Sequence, residues 1–210
     1  MKIAFVGAHH DDLELSCGGS IAEWSSQGHS IFGITLTRSQ WQTPDGTKMG
    51  DFSVMCQEAD RASKILGYEP VNLSFSDDFE LEFKDEYVCE LLRVFERNNI
   101  DTLITIWPDD AHPTHRVCSE IALAASRKIP RILLVKVSWN PSPAKYNPSF
   151  YMDISKSYDK KLMALRCFET EFSRVGESWL VYADAESKLR GLESNLCRAE
   201  AFEILRWIPE

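Results

Sequence analysis

Short apolar runs alternate with amphipathic stretches along this chain from Lys2 to Trp139, and that rhythm leaves few architectures open. KIAFVGA (Lys2–Ala8), SIFGITLT (Ser30–Thr37), PVNLSFS (Pro70–Ser76), IDTLITIWP (Ile100–Pro108) and RILLVKVSW (Arg131–Trp139) each read as a buried strand. Between them GGSIAEWSSQG, SVMCQEADRASKILGY, DEYVCELLRVFERNN and VCSEIALAASRK carry apolar residues at helical spacing, the first two stopping at Gly28 and Gly67. Strand–helix alternation of this kind predicts an α/β fold with a mostly parallel sheet and helices on both faces. SQWQTPDGTKMGD reads as a long loop and a candidate lid, and the Pro-rich NPSPAKYNPS as another loop. SYDKKLMALRCFETEF is expected to form one helix, and the tail Ala185–Trp207 is expected to be helical as well. No repeat, low-complexity tract or linker interrupts the pattern, so residues 1–210 are expected to form a single domain.

Charge and cysteine usage exclude several classes of partner. A net charge of −9, with no Lys/Arg-rich block, argues against nucleic acid. No stretch approaches the length needed to span a bilayer, so no membrane insertion is expected, and the apolar start is too short for a secretory signal. Six dispersed cysteines without a C-x-x-C read as reduced, mostly buried thiols of a cytoplasmic protein.

The histidines carry the chemistry. Of five, His9 and His10 follow the first predicted strand and His112 and His115 follow the fourth, while His29 stands apart. In parallel sheets ligands bind beyond the carboxyl ends of the strands, where strand order reverses, and these two loops are both strand ends. His9, Asp12 and His115 would offer two imidazoles and a carboxylate, a set that holds a catalytic Zn²⁺ and leaves a position open. Asp11 would then stand free as a base for bound water, and His112 as a donor to the oxyanion. The same donor set suits Fe²⁺ or another divalent metal, so a non-haem iron oxygenase and a binding-only metal or sugar domain are the alternatives.

AHHDD at 8–12, CGGSIA at 17–22 and HPTH at 112–115 together resemble the PIG-L/LmbE-like family of zinc-dependent N-deacetylases, whose motifs are A-H-P-D-D-E, a Gly-Gly pair and H-x-x-H. CQEADRASKILGY and AEAFEI extend the likeness to about residues 3–205. The resemblance implies a Rossmann-like fold, one Zn²⁺ per chain held by His9, Asp12 and His115, Asp11 as general base, and His112 as oxyanion or leaving-group partner. Four positions depart from the family pattern, one of them Leu13, which stands where the motif has its acidic residue, with Glu14 one position later. His10 replaces a proline and is read as structural. Thr114 stands where relatives carry an aspartate that charges the first histidine of H-x-x-H, a loss expected to lower the pKa of His112 unless Asp109 or Asp110 compensates. Met55 occupies a position where relatives carry a substrate-side arginine.

Other residues fill out the expected site. Arg38 could meet an anionic substrate group, Trp41 could stack on a sugar ring, and Asp77 or Asp78 could accept from sugar hydroxyls. Glu58 and Asp110 are candidate supports behind the metal ligands. The expected activity is hydrolysis of an N-acetyl amide on a small molecule, most simply an N-acetylglucosamine-type amino sugar or conjugate, releasing acetate and a free amine. Assembly into a homo-oligomer is left open, with Asn140 to Pro148 as a candidate interface arm.

Overall fold

The computed structural model describes residues 1–209. In chain order the elements are β1 (Lys2–Gly7), α1 (Asp12–Ser26), β2 (Ser30–Thr37), β3 (Trp41–Gln42), β4 (Lys48–Met49), α2 (Phe52–Leu66), β5 (Glu69–Ser76) and α3 (Asp85–Asn98). They continue with β6 (Thr102–Ile106), α4 (Pro113–Ala125), β7 (Arg131–Val135), β8 (Phe150–Asp153), α5 (Tyr158–Leu165), α6 (Glu169–Val175), α7 (Ser178–Ser194) and β9 (Ala199–Trp207).

Seven strands form one sheet in the order β5-β2-β1-β6-β7-β9-β8. The five from β5 to β7 are parallel, and β9 runs antiparallel to both β7 and β8. The chain builds outward from β1 through β2 to β5, then crosses back to place β6 on the other side of β1. With right-handed crossovers this reversal sends α1 and α2 to one face and α3 and α4 to the other. It also leaves a crevice beyond the carboxyl ends of β1 and β6, the point where the order switches. The central strands are mostly apolar because both faces are covered: Ile3, Ala4, Val6, Leu103, Ile104, Ile106, Ile132 and Leu133 are buried.

The five expected strands and the helices α1 to α4 are present, but the C-terminal third differs from its expected form. The stretch expected as one helix from Ser157 breaks at Arg166–Phe168 into α5 and α6. The expected helical tail is helical only to Ser194, and Ala199–Trp207 is the strand β9. Its Ala, Glu, Leu and Arg content favours a helix locally. Pairing on both edges, with β8 at 199–202 and β7 from Glu203 on, overrides that preference. Within SQWQTPDGTKMGD, β3 and β4 pair as a small hairpin. The Pro-rich loop folds back on the chain, its Tyr146 hydroxyl donating to the carbonyls of Leu134 and Ala201. All six cysteines are free thiols, but only Cys17 and Cys118 are buried; Cys89 and Cys197 are exposed. Among the described residues no helix is long and apolar enough to cross a membrane.

Candidate active site

The two histidine-bearing loops meet at the switch point. The turn after β1 is tied by Asp12, whose Oδ2 accepts from the backbone N–H groups of Ala8 and His9, each at 2.8 Å. That leaves Asp12 Oδ1 to face the histidines. After β6, His112 sits at the N-cap of α4 and Pro113 opens the helix, which places His115 in the first helical turn. His9 Nδ1 lies 3.2 Å from His115 Nε2 and 3.5 Å from Asp12 Oδ1, and His115 Nε2 lies 3.2 Å from Asp12 Oδ1.

This triangle is a measure of fit. Donor atoms about 2.0–2.1 Å from a tetrahedral ion stand about 3.3–3.4 Å from one another. The three edges therefore match a divalent cation of that size. His112 with His9 and His115, and Asp11 with His9 and Asp12, also bring donor atoms within 4.8 Å of one another. The outward nitrogens of the two triangle histidines are both held by carboxylates. His9 Nε2 is 2.9 Å from Asp78 Oδ1, and His115 Nδ1 is 2.9 Å from Asp110 Oδ1. Such partners fix ring orientation and tautomer, so that each neutral ring carries its proton on the outward nitrogen and leaves the inward one for a metal.

Asp110 is wholly buried and is itself anchored, accepting from the backbone N–H groups of His112, Val137 and Ser138. Asp78 Oδ1 also accepts from the Thr114 hydroxyl at 2.7 Å and from the Phe79 N–H at 2.9 Å. Thr114 thus supports the carboxylate behind His9 rather than charging His112.

The electrostatics separate the groups. Burial opposes charge at His115, but Asp12 and Asp110 outweigh it and raise its pKa to about 9. His9 is raised as well, against burial, by Asp12 and Asp78. Burial also opposes charge at Asp12, which the two imidazoles nonetheless hold well below the usual carboxylate range. Asp11 is pushed up to about 7 by burial, with Glu171 and Asp12 adding repulsion. Its carboxylate makes no capping bond to α1. His112 is lowered to about 4 by burial and by His9 and His115. The direction is the one expected for His112, but its causes are burial and the two neighbouring imidazoles, and the oxygens of Asp110 are committed to His115 and to backbone N–H groups.

His9, Asp11, Asp12, His112 and His115 line a cleft of about 300 Å³. The expected Trp41 and Asp78 line it, although Asp78 Oδ1 is already occupied. Arg38 and Asp77 do not: Arg38 bonds Asp77 at 3.2 Å and Lys48 bonds its other oxygen at 3.1 Å, outside the cleft. Glu58 is also remote from the ligands. It is buried on α2 and accepts from the Thr170 N–H at 3.0 Å and hydroxyl at 2.6 Å, fixing the start of α6. His10 turns away, bonding Ser39 Oγ at 2.6 Å, and burial lowers it to about 4. Trp139, the other aromatic at a predicted strand end, lines the cleft as well, and the wall also holds residues the sequence did not single out for the site: Phe79, Trp179 and, from α6, Glu171 and Arg174. Of these last four, Phe79 carried a readable signal, since it directly follows the Asp pair at a strand end.

A mostly parallel, Rossmann-like sheet with a histidine–aspartate cluster at its switch point defines a class of α/β protein that works through the loops after its central strands. The sequence profile of the PIG-L family, described as GlcNAc-PI de-N-acetylase, matches residues 4–126, more than half of the chain, and the chain belongs to that family. It is 26% identical over 226 residues to the diacetylchitobiose deacetylase of Thermococcus kodakarensis, covering 99% of this chain and 83% of that protein. The crystal structure of a conserved protein from Thermus thermophilus, TT1542, superposes with a TM-score of 0.83 at 26% identity, over 100% of this chain and 97% of that one. The 4-carboxy-2-hydroxymuconate hydratase GalB of Pseudomonas putida shares the fold with a TM-score of 0.81 at 20% identity, over 100% of this chain and 98% of that one. A hydratase on this fold means that the reaction has to be argued from the site.

Proposed function

We propose that the protein is a zinc-dependent N-deacetylase acting on an N-acetylglucosamine-type amino sugar or conjugate, with His9, Asp12 and His115 as ligands of one metal ion. The carrying observation is the donor triangle with both outward histidine nitrogens held by carboxylates. A bound Zn²⁺ would supply Lewis-acid polarisation of the amide carbonyl and a more acidic water.

The chain's own groups do the rest. Asp11, beside the ligands and close to half-protonated near neutral pH, can take a proton from water and later deliver it to the departing nitrogen. His112, neutral at that pH, offers a ring N–H to the negative oxygen that develops on the attacked carbon; its buried Nδ1 has no partner among the described residues. The products are acetate and the free amine. Relatives named as deacetylases support this reading.

The test is primary-amine release from a panel of N-acetylated amino sugars, run without oxygen on protein of measured zinc content. Release that Asp11→Asn abolishes while zinc stays stoichiometric is the expected result. His112→Ala should lower kcat by about 10²–10³-fold with zinc retained. Release absent from the whole panel with zinc bound, or turnover that requires O₂, would overturn the proposal.

A further inference from the structure

The cleft wall bears on the charge of the substrate. Phe79 is 62% exposed and holds a left-handed backbone at φ 61°, an unfavourable state for a bulky residue. Its ring lies against His112 with centroids 5.0 Å apart. Trp139, 41% exposed, is braced by Tyr182 at 5.3 Å. Two exposed aromatic rings, one in a strained conformation, thus stand at the mouth of a polar cleft. Arg174 is the one Lys or Arg among the described lining residues. Its Nε donates to Glu171 Oε2 at 2.9 Å, a second nitrogen binds the same oxygen, and Nη1 finds no acceptor among the described residues. Asp11, Asp12, Asp78 and Glu171 line the same cleft as this single guanidinium. Even a bound divalent cation leaves such a wall at or below neutrality.

We infer that the cleft takes an uncharged saccharide and selects against phosphorylated amino sugars. Phe79 and Trp139 form a platform for a ring beyond the N-acyl-bearing one, while Glu171 masks the charge of Arg174 and leaves its remaining donors for hydroxyls. Sugar faces stack on aromatic rings, and an anchored guanidinium serves neutral acceptors as well as anions. A phosphate brought here would meet Glu171 and find the one cation already paired. The inference rests on the N-deacetylase reading but is tested by binding.

Asp11→Asn protein loaded with zinc removes turnover, and tryptophan fluorescence reports ligands through Trp41 and Trp139. The probes are methyl N-acetylglucosaminide, N,N′-diacetylchitobiose and N-acetylglucosamine 1-phosphate. The disaccharide should bind about tenfold tighter than the methyl glycoside, and the phosphate about tenfold weaker. Phe79→Ala, at an exposed position, should erase most of the disaccharide's gain. Glu171→Gln should tighten the phosphate about tenfold. Phosphate binding as tightly as the methyl glycoside, a disaccharide gain that survives both Phe79→Ala and Trp139→Ala, or no binding by any probe would overturn the inference. Amine release by the wild-type protein separately decides whether the N-deacetylase reading survives.

Discussion

Adjacent aspartates do different work here, and backbone direction decides which does what. Asp11 and Asp12 share a turn, yet Asp12 is pinned by two N–H groups and faces both imidazoles while Asp11 makes no capping bond. The same split recurs at Asp77 and Asp78, where one neutralises Arg38 and Lys48 and the other orients His9. Asp78→Asn and Asp110→Asn should therefore each weaken zinc affinity by about 10–100-fold in a chelator competition. Asp77→Asn should change it by less than about twofold. Equal losses from Asp77→Asn and Asp78→Asn would mean that the carboxylate behind His9 is not what holds the ring. His9, Asp11, Asp12, His112 and His115 were legible because each sits at a strand end, and strand ends in this topology converge. The partner of His9 was not, because Asp78 comes from a third loop, 69 residues away, and local sequence does not say which of two neighbouring aspartates points inward.

The elements around the site show how distant segments support it. Helix α1 is kinked at Cys17, where φ is −143°, so a second helical start follows within it. Its free N–H groups, those of Gly19 and Ser20, donate to the buried Glu200 of β9, which Lys161 of α5 neutralises at 2.5 Å. That arrangement gives the AEAFEI segment a physical role: its glutamate caps an interrupted helix from across the sheet. Gly19 permits the contact, because a Cβ there would lie 2.8 Å from Ile154 Cβ. Gly19→Ala should accordingly destabilise the protein by roughly 1–3 kcal/mol in denaturant titrations. A loss within error would show that Ile154, in the turn between β8 and α5, moves aside freely. On the other side of α1, Glu58 of α2 fixes α6, which carries Glu171 and Arg174 into the cleft. Glu58→Ala should raise KM for the sugar while leaving zinc affinity unchanged, at a stability cost of about 1–2 kcal/mol. An unchanged KM would mean that α6 keeps its place without this bond. The role of α6 was not legible, because a seven-residue helix beyond the alternating part of the chain carries no strand-end signal.

At the scale of the whole molecule, the site without metal stores a pH dependence that metal should reverse. The folded pKa of His115, about 9, lies above its ordinary 6.5, so its contribution is full below about pH 6.5 and is lost as pH rises through 9. Glu14, raised to about 8 by burial, and Asp11, raised to about 7, have the same sign: each holds a proton in the folded state that the unfolded chain has already released. His10 and His112, both lowered to about 4, add stability as pH climbs toward 6.5 and nothing further above it. Between pH 6.5 and 9 the metal-free protein should therefore only lose stability. Zinc held as proposed by His9 and His115 would need both inward nitrogens without protons, so its affinity should rise across the same interval. The melting temperature with and without zinc should differ little at pH 6 and progressively more toward pH 8.5. Zinc at about 100 times its Kd contributes ~2.7 kcal/mol, a shift of about 5–10 °C in a chain of this size. Thermal scans of chelator-treated and zinc-loaded protein at matched pH measure the gap directly. A gap that stayed constant from pH 6 to 8.5 would separate zinc binding from the two imidazoles, and a gap that vanished in His115→Ala would tie it to them.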